Sequence, residues 1–299
     1  MTDVDAILDF SVADVGPLDR PVLLVGLEGW FDVGTSATQA VEAFTTTDRC
    51  IVVGTIDPDP FYDFTQQRPL VSIEDGVREI AWPSNEFVVR RNADERDVVA
   101  LLGVEPHLYW STYVDAIVKV ATDLRCEAVV TVGSAAEAIP HTRTPPVTGS
   151  TSNRALANAL GLVAPSYEGM TGVVGVLQAT LEDRGIPAVS LRVGIPHYLM
   201  NAEHPQATSA LSRHLSHVLG ISPDADIAAQ MDTQSRSWRE VHDEIVANDR
   251  QLTMYVRMLE AEFDRRAEAA IPSADDLAHD FEDFLREQRS DDDGTDTDA

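Results

Sequence analysis

The sequence predicts an α/β protein: a mixed, mostly parallel sheet covered by helices on both faces, followed by a C-terminal helical extension. Three observations carry this expectation. Residues 20–220 alternate short runs rich in β-branched residues with amphipathic runs at helical spacing, and continuous apolar strands separated by helices need crossover connections. Asp75-Gly76 stands between two alternating runs, a hairpin signal that adds antiparallel strands. Beyond Gly220 the strand-like runs stop and a heptad-like spacing takes over.

PVLLVGL (21–27) reads as a buried strand, followed by the loop EGWFDVG (28–34) and the helix TSATQAVEAF (35–44). CIVVGTI (50–56) is the next strand. YDFTQQRP (62–69) leads to the hairpin VSIEDGVREIAW (71–82), and EFVVRR (86–91) continues the sheet. Strand and helix then take turns: VVALLG (98–103), a helix over 111–125, AVVTV (128–132) and a helix near 151–160. LVAPS (162–166), a helix over 171–184, AVSLRV (188–193) and a helix over 205–219 complete the series. Ser222 before Pro223 marks a helix start. Trp238, Val241, Ile245, Asn248, Leu252, Tyr255 and Leu259 follow a three-four spacing, which suits a helix laid on the main domain or on a neighbouring subunit. Ser273 opens a last helix presenting Leu277, Phe281, Phe284 and Leu285, and SDDDGTDTDA has the composition of a disordered acidic tail. The expected organisation is an α/β/α domain over residues 1–220, a helical extension over 221–289 and the tail over 290–299.

Composition removes several function classes. The chain carries a formal net charge of −28, so a phosphate backbone would be repelled and no nucleic-acid partner is expected. Residues 221–299 hold 22 acidic side chains against 8 arginines, a net of −14. MTDVDAILDF lacks the basic region of a secretory signal, and no run reaches the roughly 18 apolar residues of a membrane helix, so a cytoplasmic location without a membrane partner is expected. Lys119 is the only lysine. It lies off the apolar stripe of Tyr113, Ile117, Val120 and Leu124, which leaves no lysine for phosphate-loop or Schiff-base chemistry. Cys50 and Cys126 each open a strand-like run and read as structural.

In an open parallel sheet, ligands bind outside the carboxyl ends of the strands. Those ends are where this chain places its polar residues. Strand 21–27 delivers Glu28 and Asp32, strand 98–103 delivers Glu105 and His107, and strand 128–132 delivers Glu137, His141 and Arg143. LVAPS delivers Tyr167, Glu168 and Thr171, and strand 188–193 delivers His197 and Tyr198. Three of these histidines follow a proline, at Pro106-His107, Pro140-His141 and Pro196-His197. The candidate ligand-binding rim is therefore Glu28, Asp32, Glu105, His107, His141, Arg143, Glu168, Thr171 and His197.

Three chemistries compete for this rim. Histidines and a carboxylate suit zinc, but no paired spacing such as H-E-x-x-H is present, and His214 and His217 sit on a surface-like helix. No metal is expected. His141, Arg143 and Glu168 suit an anionic substrate, with arginine as clamp and His and Glu moving protons. No G-x-S-x-G elbow accompanies them, and Gly133-Ser134 lacks the preceding glycine. The glycines of YEGMTGVVG (167–175) either cradle a phosphate or let the helix pack closely on the sheet with Thr171 as its cap; packing is the favoured reading. Each Pro-His pair also has a structural account, in which proline ends a strand and a neutral histidine ring bonds the loop backbone.

Taken together, EGWFDVG, YDFTQQRP, PHTRTPPVTGS, YEGMTGVVGVLQATLEDRGIPAVSLRVGIPHYL and HPQATSALSRHL resemble the proteasome assembly chaperone 2 family, in its bacterial, actinobacterial-type branch. The resemblance spans roughly residues 20–220 in order. Asn would be expected where Phe31 stands and Pro where Met170 stands. The resemblance implies a three-layer α/β/α fold similar to purine nucleoside phosphorylases, self-association, and a role in proteasome assembly. It brings no catalytic residues and no cofactor. The missing lysines speak against the ATP-grasp label of some relatives, and the ending DTDA lacks the hydrophobic-tyrosine docking tail of eukaryotic ones. The leading expectation is a non-enzymatic interaction protein, a homo-oligomer (dimer or trimer) with proteasome subunits as partners. The alternative is an enzyme or small-molecule binder that uses the rim.

Overall fold

A computed structural model of the protein describes residues 4–46 and 50–269. The expected helix of Leu277, Phe281, Phe284 and Leu285 and the acidic run 290–299 lie outside the described residues. Short elements open the chain: α1 (Val4–Ile7), β1 (Leu8–Phe10) and α2 (Val12–Val15). Then follow β2 (Val22–Glu28), α3 (Ser36–Glu42), β3 (Cys50–Ile56), β4 (Leu70–Glu74), β5 (Val77–Ala81), β6 (Asn85–Arg90) and β7 (Val98–Val104). The second half holds α4 (Trp110–Asp123), β8 (Ala128–Glu137), β9 (Val147–Ser150), α5 (Arg154–Leu160), α6 (Val173–Asp183), β10 (Ala188–Pro196), α7 (Pro205–Leu219), α8 (Ala225–Ala247) and α9 (Arg250–Ala269).

The main sheet has eight strands in the order β1-β3-β6-β7-β2-β8-β10-β9. β7, β2, β8 and β10 run parallel at its centre, while β6, β3 and β1 on one side and β9 on the other pair antiparallel. The central strands are buried on both faces, as their unbroken apolar runs require. Leu23, Val25, Leu101 and Val129 pack in one layer with Tyr113 and Ile117 of α4 and Leu177 and Leu181 of α6. Val22, Leu24, Val130 and Leu191 pack in the other with Val41 of α3 and Leu211 and Leu215 of α7. Period-two alternation in each strand thus assigns neighbouring residues to opposite helix layers. Lys119 lies outside its helix's apolar face and pairs with Asp123 at 3.0 Å. Burial pushes the Cys126 thiol up to about 12, which rules it out as an activated thiolate.

Three expectations are corrected. The hairpin forms, with Asp75 at φ 49° and Gly76 at φ 82°, the left-handed pair that a tight I′ turn needs. It is a two-stranded sheet of its own, β4 with β5, so the antiparallel strands of the main sheet come from elsewhere. LVAPS is not a strand: Val163 makes a single bridge to Ser150, and Pro165 has no N–H to give a ladder. The strand at that edge is β9, antiparallel on β10. The stripe from Trp238 to Leu259 is not one helix, because Asp249 Oδ1 accepts the N–H groups of Gln251 (2.8 Å) and Leu252 (3.0 Å) and starts α9 afresh.

The chain divides into two compact units between Ile245 and Val246, later than the expected boundary at Gly220. Contacts of α8 account for the difference: Arg239 donates to the Thr142 carbonyl at 2.8 Å, and Trp238 packs on His204. In the second unit, Glu262 of α9 pairs with Arg265 and Arg266 at 2.5 and 2.8 Å. These are exposed one-turn pairs that each add only a few tenths of a kcal/mol.

Candidate functional site

The parallel centre brings the carboxyl ends of β7, β2, β8 and β10 to one edge, and six of the nine expected rim residues gather there around two separate constellations. The first surrounds Glu105, just past β7. Its N–H donates to the Glu28 carbonyl at 2.7 Å, joining the ends of β7 and β2. Its Oε2 accepts the Trp30 N–H at 3.0 Å and its Oε1 accepts the Val173 N–H at 3.1 Å. Val173 opens α6, whose N-cap Gly172 offers no side chain, so Glu105 caps that helix from another strand and places a negative charge at its positive end. A Cβ on Gly172 would lie 2.6 Å from Glu105 Oε1 and would push that carboxylate off the helix end. The packing role expected of the glycines is therefore corrected in detail. Gly172 makes room for Glu105, and Gly175 makes room for Thr171, whose Oγ1 a Cβ would meet at 1.9 Å. Thr171 does not cap the helix; its hydroxyl donates to the Gly172 carbonyl at 3.4 Å.

His107 stands on the same side. Its Nδ1 accepts the Asp63 N–H at 3.1 Å, so the neutral ring keeps its proton on Nε2. The Asp63 carboxylate accepts from the Thr65 N–H and hydroxyl at 2.9 and 2.6 Å and from Gln66 at 3.1 Å. These hydrogen bonds, led by that of the Thr65 hydroxyl, hold the acid down at about 2. Beneath lies a buried polar network. Asn85 Oδ1 accepts from Tyr113 Oη at 2.7 Å and from the Val104 N–H at 3.1 Å, and its Nδ2 donates to Tyr62 Oη. Burial pushes the Tyr62 phenol up to about 12. Between these groups opens a cleft of about 1080 Å³, lined among others by Glu28, Trp30, Asp63, Glu105, His107 and Trp110.

The second constellation lies under α8. His141 is buried. Tyr198 Oη accepts the His141 backbone N–H at 2.8 Å and sits 2.7 Å from His141 Nδ1. His141 Nε2 is 3.3 Å from Asp243 Oδ1. This arrangement suits a tautomer with the phenol donating to Nδ1 and the ring proton on Nε2 facing the carboxylate. Burial pushes the His141 imidazole down, with Asp243 opposing. His197 Nδ1 lies 3.1 Å from the Glu137 carbonyl, and Arg192 pairs with Glu137 at 2.8 Å. His204 caps α7, its Nδ1 accepting the Ala207 N–H at 3.2 Å. Trp238 packs between His204 and His242, with ring centroids 4.1 and 3.9 Å away.

The Pro-His pairs therefore divide: His141 and His197 share Tyr198 as an edge-on neighbour, while His107 lines the cleft. Asp32 belongs to neither constellation. It is buried at the start of α3, accepting from the Ala37 N–H at 2.7 Å and the Thr38 hydroxyl at 2.6 Å. Burial raises its pKa, and these hydrogen bonds pull it back. Arg143 Nη1 reaches the Thr142 hydroxyl at 3.4 Å, and Glu168 sits on the exposed loop before α6. Sequence reasoning missed Trp30, Asp63 and Trp110 in the cleft and His204, Trp238 and Asp243 under α8. One signal was present, two adjacent aromatics, Trp30 and Phe31, between the acids of the loop EGWFD.

A model of the PAC2 family matches residues 26–246. Among solved structures, a PAC2 family protein from Streptomyces avermitilis is 33% identical, over 79% of this chain and 99% of that one, with a TM-score of 0.72. A proteasome-assembly chaperone homologue from Mycobacterium tuberculosis is 35% identical over 79% and 99% of the two chains, with a TM-score of 0.70. An archaeal proteasome activator from Pyrococcus furiosus, 16% identical over 80% and 98%, shares the fold with a TM-score of 0.62. No curated protein matches the chain.

Proposed function

Because this chain belongs to the PAC2 family, we propose that it is a protein-interaction module of the proteasome-assembly-chaperone kind, working in the cytoplasm as a homo-oligomer with proteasome subunits as partners. The observation that carries this reading is the β4–β5 hairpin. Leu70, Val71, Ile73, Val77 and Ile80 are between 50% and 75% exposed on it. An isolated two-stranded hairpin is marginal in water, and clustered exposed apolar side chains mark interaction surfaces. The rim supports the same reading from the other side. Glu105 and Asp32 accept backbone N–H groups, and His141 is buried against Tyr198, so each has a structural task. Among the described residues, no helix is long and apolar enough to cross a membrane.

The test is a pull-down with the full chain, paired with light scattering on the wild type and on Ile73→Asp. Recovery of proteasome subunits and an oligomer that Ile73→Asp dissociates are the expected results. No proteasome subunit recovered, together with normal proteasome assembly in a deletion strain, would sink the reading. A second reading, a small-molecule site, is favoured by the cleft beside Glu105, whose volume of about 1080 Å³ is ample for a bound ligand.

A further inference from the structure

The cleft between the ends of β2 and β7 has a charge pattern that selects the sign of its ligand. We propose that it binds a small organic cation, a protonated amine or guanidinium. The inference rests on the reading of this cleft as a ligand site and adds the class of ligand.

Three carboxylates, Glu28, Asp63 and Glu105, line the space, and neither lysine nor arginine lines it among the described residues. Two of the three are fixed in place. The Trp30 and Val173 N–H groups hold Glu105, and Thr65 and Gln66 hold Asp63 in its ionised form. His107 turns its Nδ1 away from the ligand space, accepting the Asp63 N–H at 3.1 Å. A phosphate or carboxylate ligand would therefore meet three carboxylates and neither lysine nor arginine, and the positive end of α6 is already taken by Glu105. Arg143, the one cation of the expected rim, lies past β8 and outside the lining. The anionic substrate that a phosphorylase-like scaffold suggests does not fit here.

Two indoles supply the apolar part of the site. Trp30 is 66% exposed and rests within 3.5 Å of where a Gly172 Cβ would stand. Trp110 is steadied by its Nε1–H, which donates to the Pro106 carbonyl at 2.6 Å. Indoles are the best aromatic partners of organic cations. The overall charge of −28 attracts cations to the whole surface. Among the described residues, this cleft brings together three carboxylates and two indoles, whereas the pocket beside Trp238 pairs that one indole with Glu42 and Glu203.

The experiment titrates the full chain with agmatine and spermidine, and in parallel with inorganic phosphate and AMP, by calorimetry and tryptophan fluorescence. Saturable binding of a cation at one site is expected, with no binding of either anion. Glu28→Gln and Trp30→Ala should each weaken it about tenfold, the scale of one charge-assisted or cation–π contact. Glu182→Gln, at the far end of α6, should leave it unchanged. Binding of phosphate or AMP without the cations would overturn the inference while leaving the cleft a ligand site. Cation binding untouched by Glu28→Gln and Trp30→Ala would overturn it as diffuse attraction. If no probe of either sign binds, the ligand-site reading falls with it.

Discussion

Trp238 and His204 stand ring against ring, their centroids 4.1 Å apart, and that contact fastens α8 over the start of α7. His204 caps α7 through a lone pair on Nδ1, so only its neutral ring can do the work.

Stability should therefore fall in mild acid. Burial pushes the His204 imidazole down to about 4 from 6.5, and His242 and His141 add to the shift. Protonation then favours the unfolded chain: stability from this residue is full above its unfolded pKa and is lost as pH falls toward 4. The loss at about pH 5 is roughly 2 kcal/mol. Urea unfolding followed by tryptophan fluorescence across that range checks it. His204→Asn keeps a capping acceptor and should flatten the slope; an unchanged slope would exclude His204 as its source.

Glu105→Ala leaves the Trp30 and Val173 N–H groups without their acceptor and should cost about 1–3 kcal/mol. Glu105→Gln retains one acceptor oxygen and should cost less. Thermal unfolding ranks the two, and equal stability of all three proteins would mean that water replaces the carboxylate at no cost.

Asp32 separates cap from charge. Its raised pKa means that the buried carboxylate is least favourable above its folded pKa, so stability from this group declines as pH rises through that value. Asp32→Asn keeps an acceptor for the Ala37 N–H and should be close to neutral near pH 7. Asp32→Ala loses the cap and should cost about 1–2 kcal/mol. Denaturant midpoints compare them; a large loss in Asp32→Asn would show that the charge itself is required.

Core and hairpin should respond in opposite ways. Leu177→Ala, at a buried position of α6, should cost about 2–5 kcal/mol. Ile73→Ala on the hairpin should change the stability of the single chain by no more than about 0.5 kcal/mol, while weakening self-association seen by sedimentation. A large stability loss in Ile73→Ala at dilution would mean that the hairpin packs on its own chain.

The central strands were legible because burial on both faces leaves unbroken apolar runs at 21–27, 98–103, 128–132 and 188–193, and four aligned parallel strands bring their loops to one edge. β9 was not legible, since VTGS carries no apolar run and its ladder is made with the backbone of β10. LVAPS misled for the opposite reason, as its apolar start precedes a proline that denies a ladder. Within the rim, residue types were legible and their tasks were not. Whether Glu105 faces a ligand or a helix end depends on Gly172 being 67 positions away in sequence and beside it in space. The cluster under α8 needed the docking of a helix whose apolar spacing suited a partner equally well.

The outermost strands of the main sheet, β1 and β9, span three and four residues. Edges so short give a neighbouring chain almost no ladder to extend. Concentrated solutions of this protein should resist zipping into fibrils through β1 and β9, and a shared backbone ribbon between copies would have to run along the outer edges of the β4–β5 hairpin.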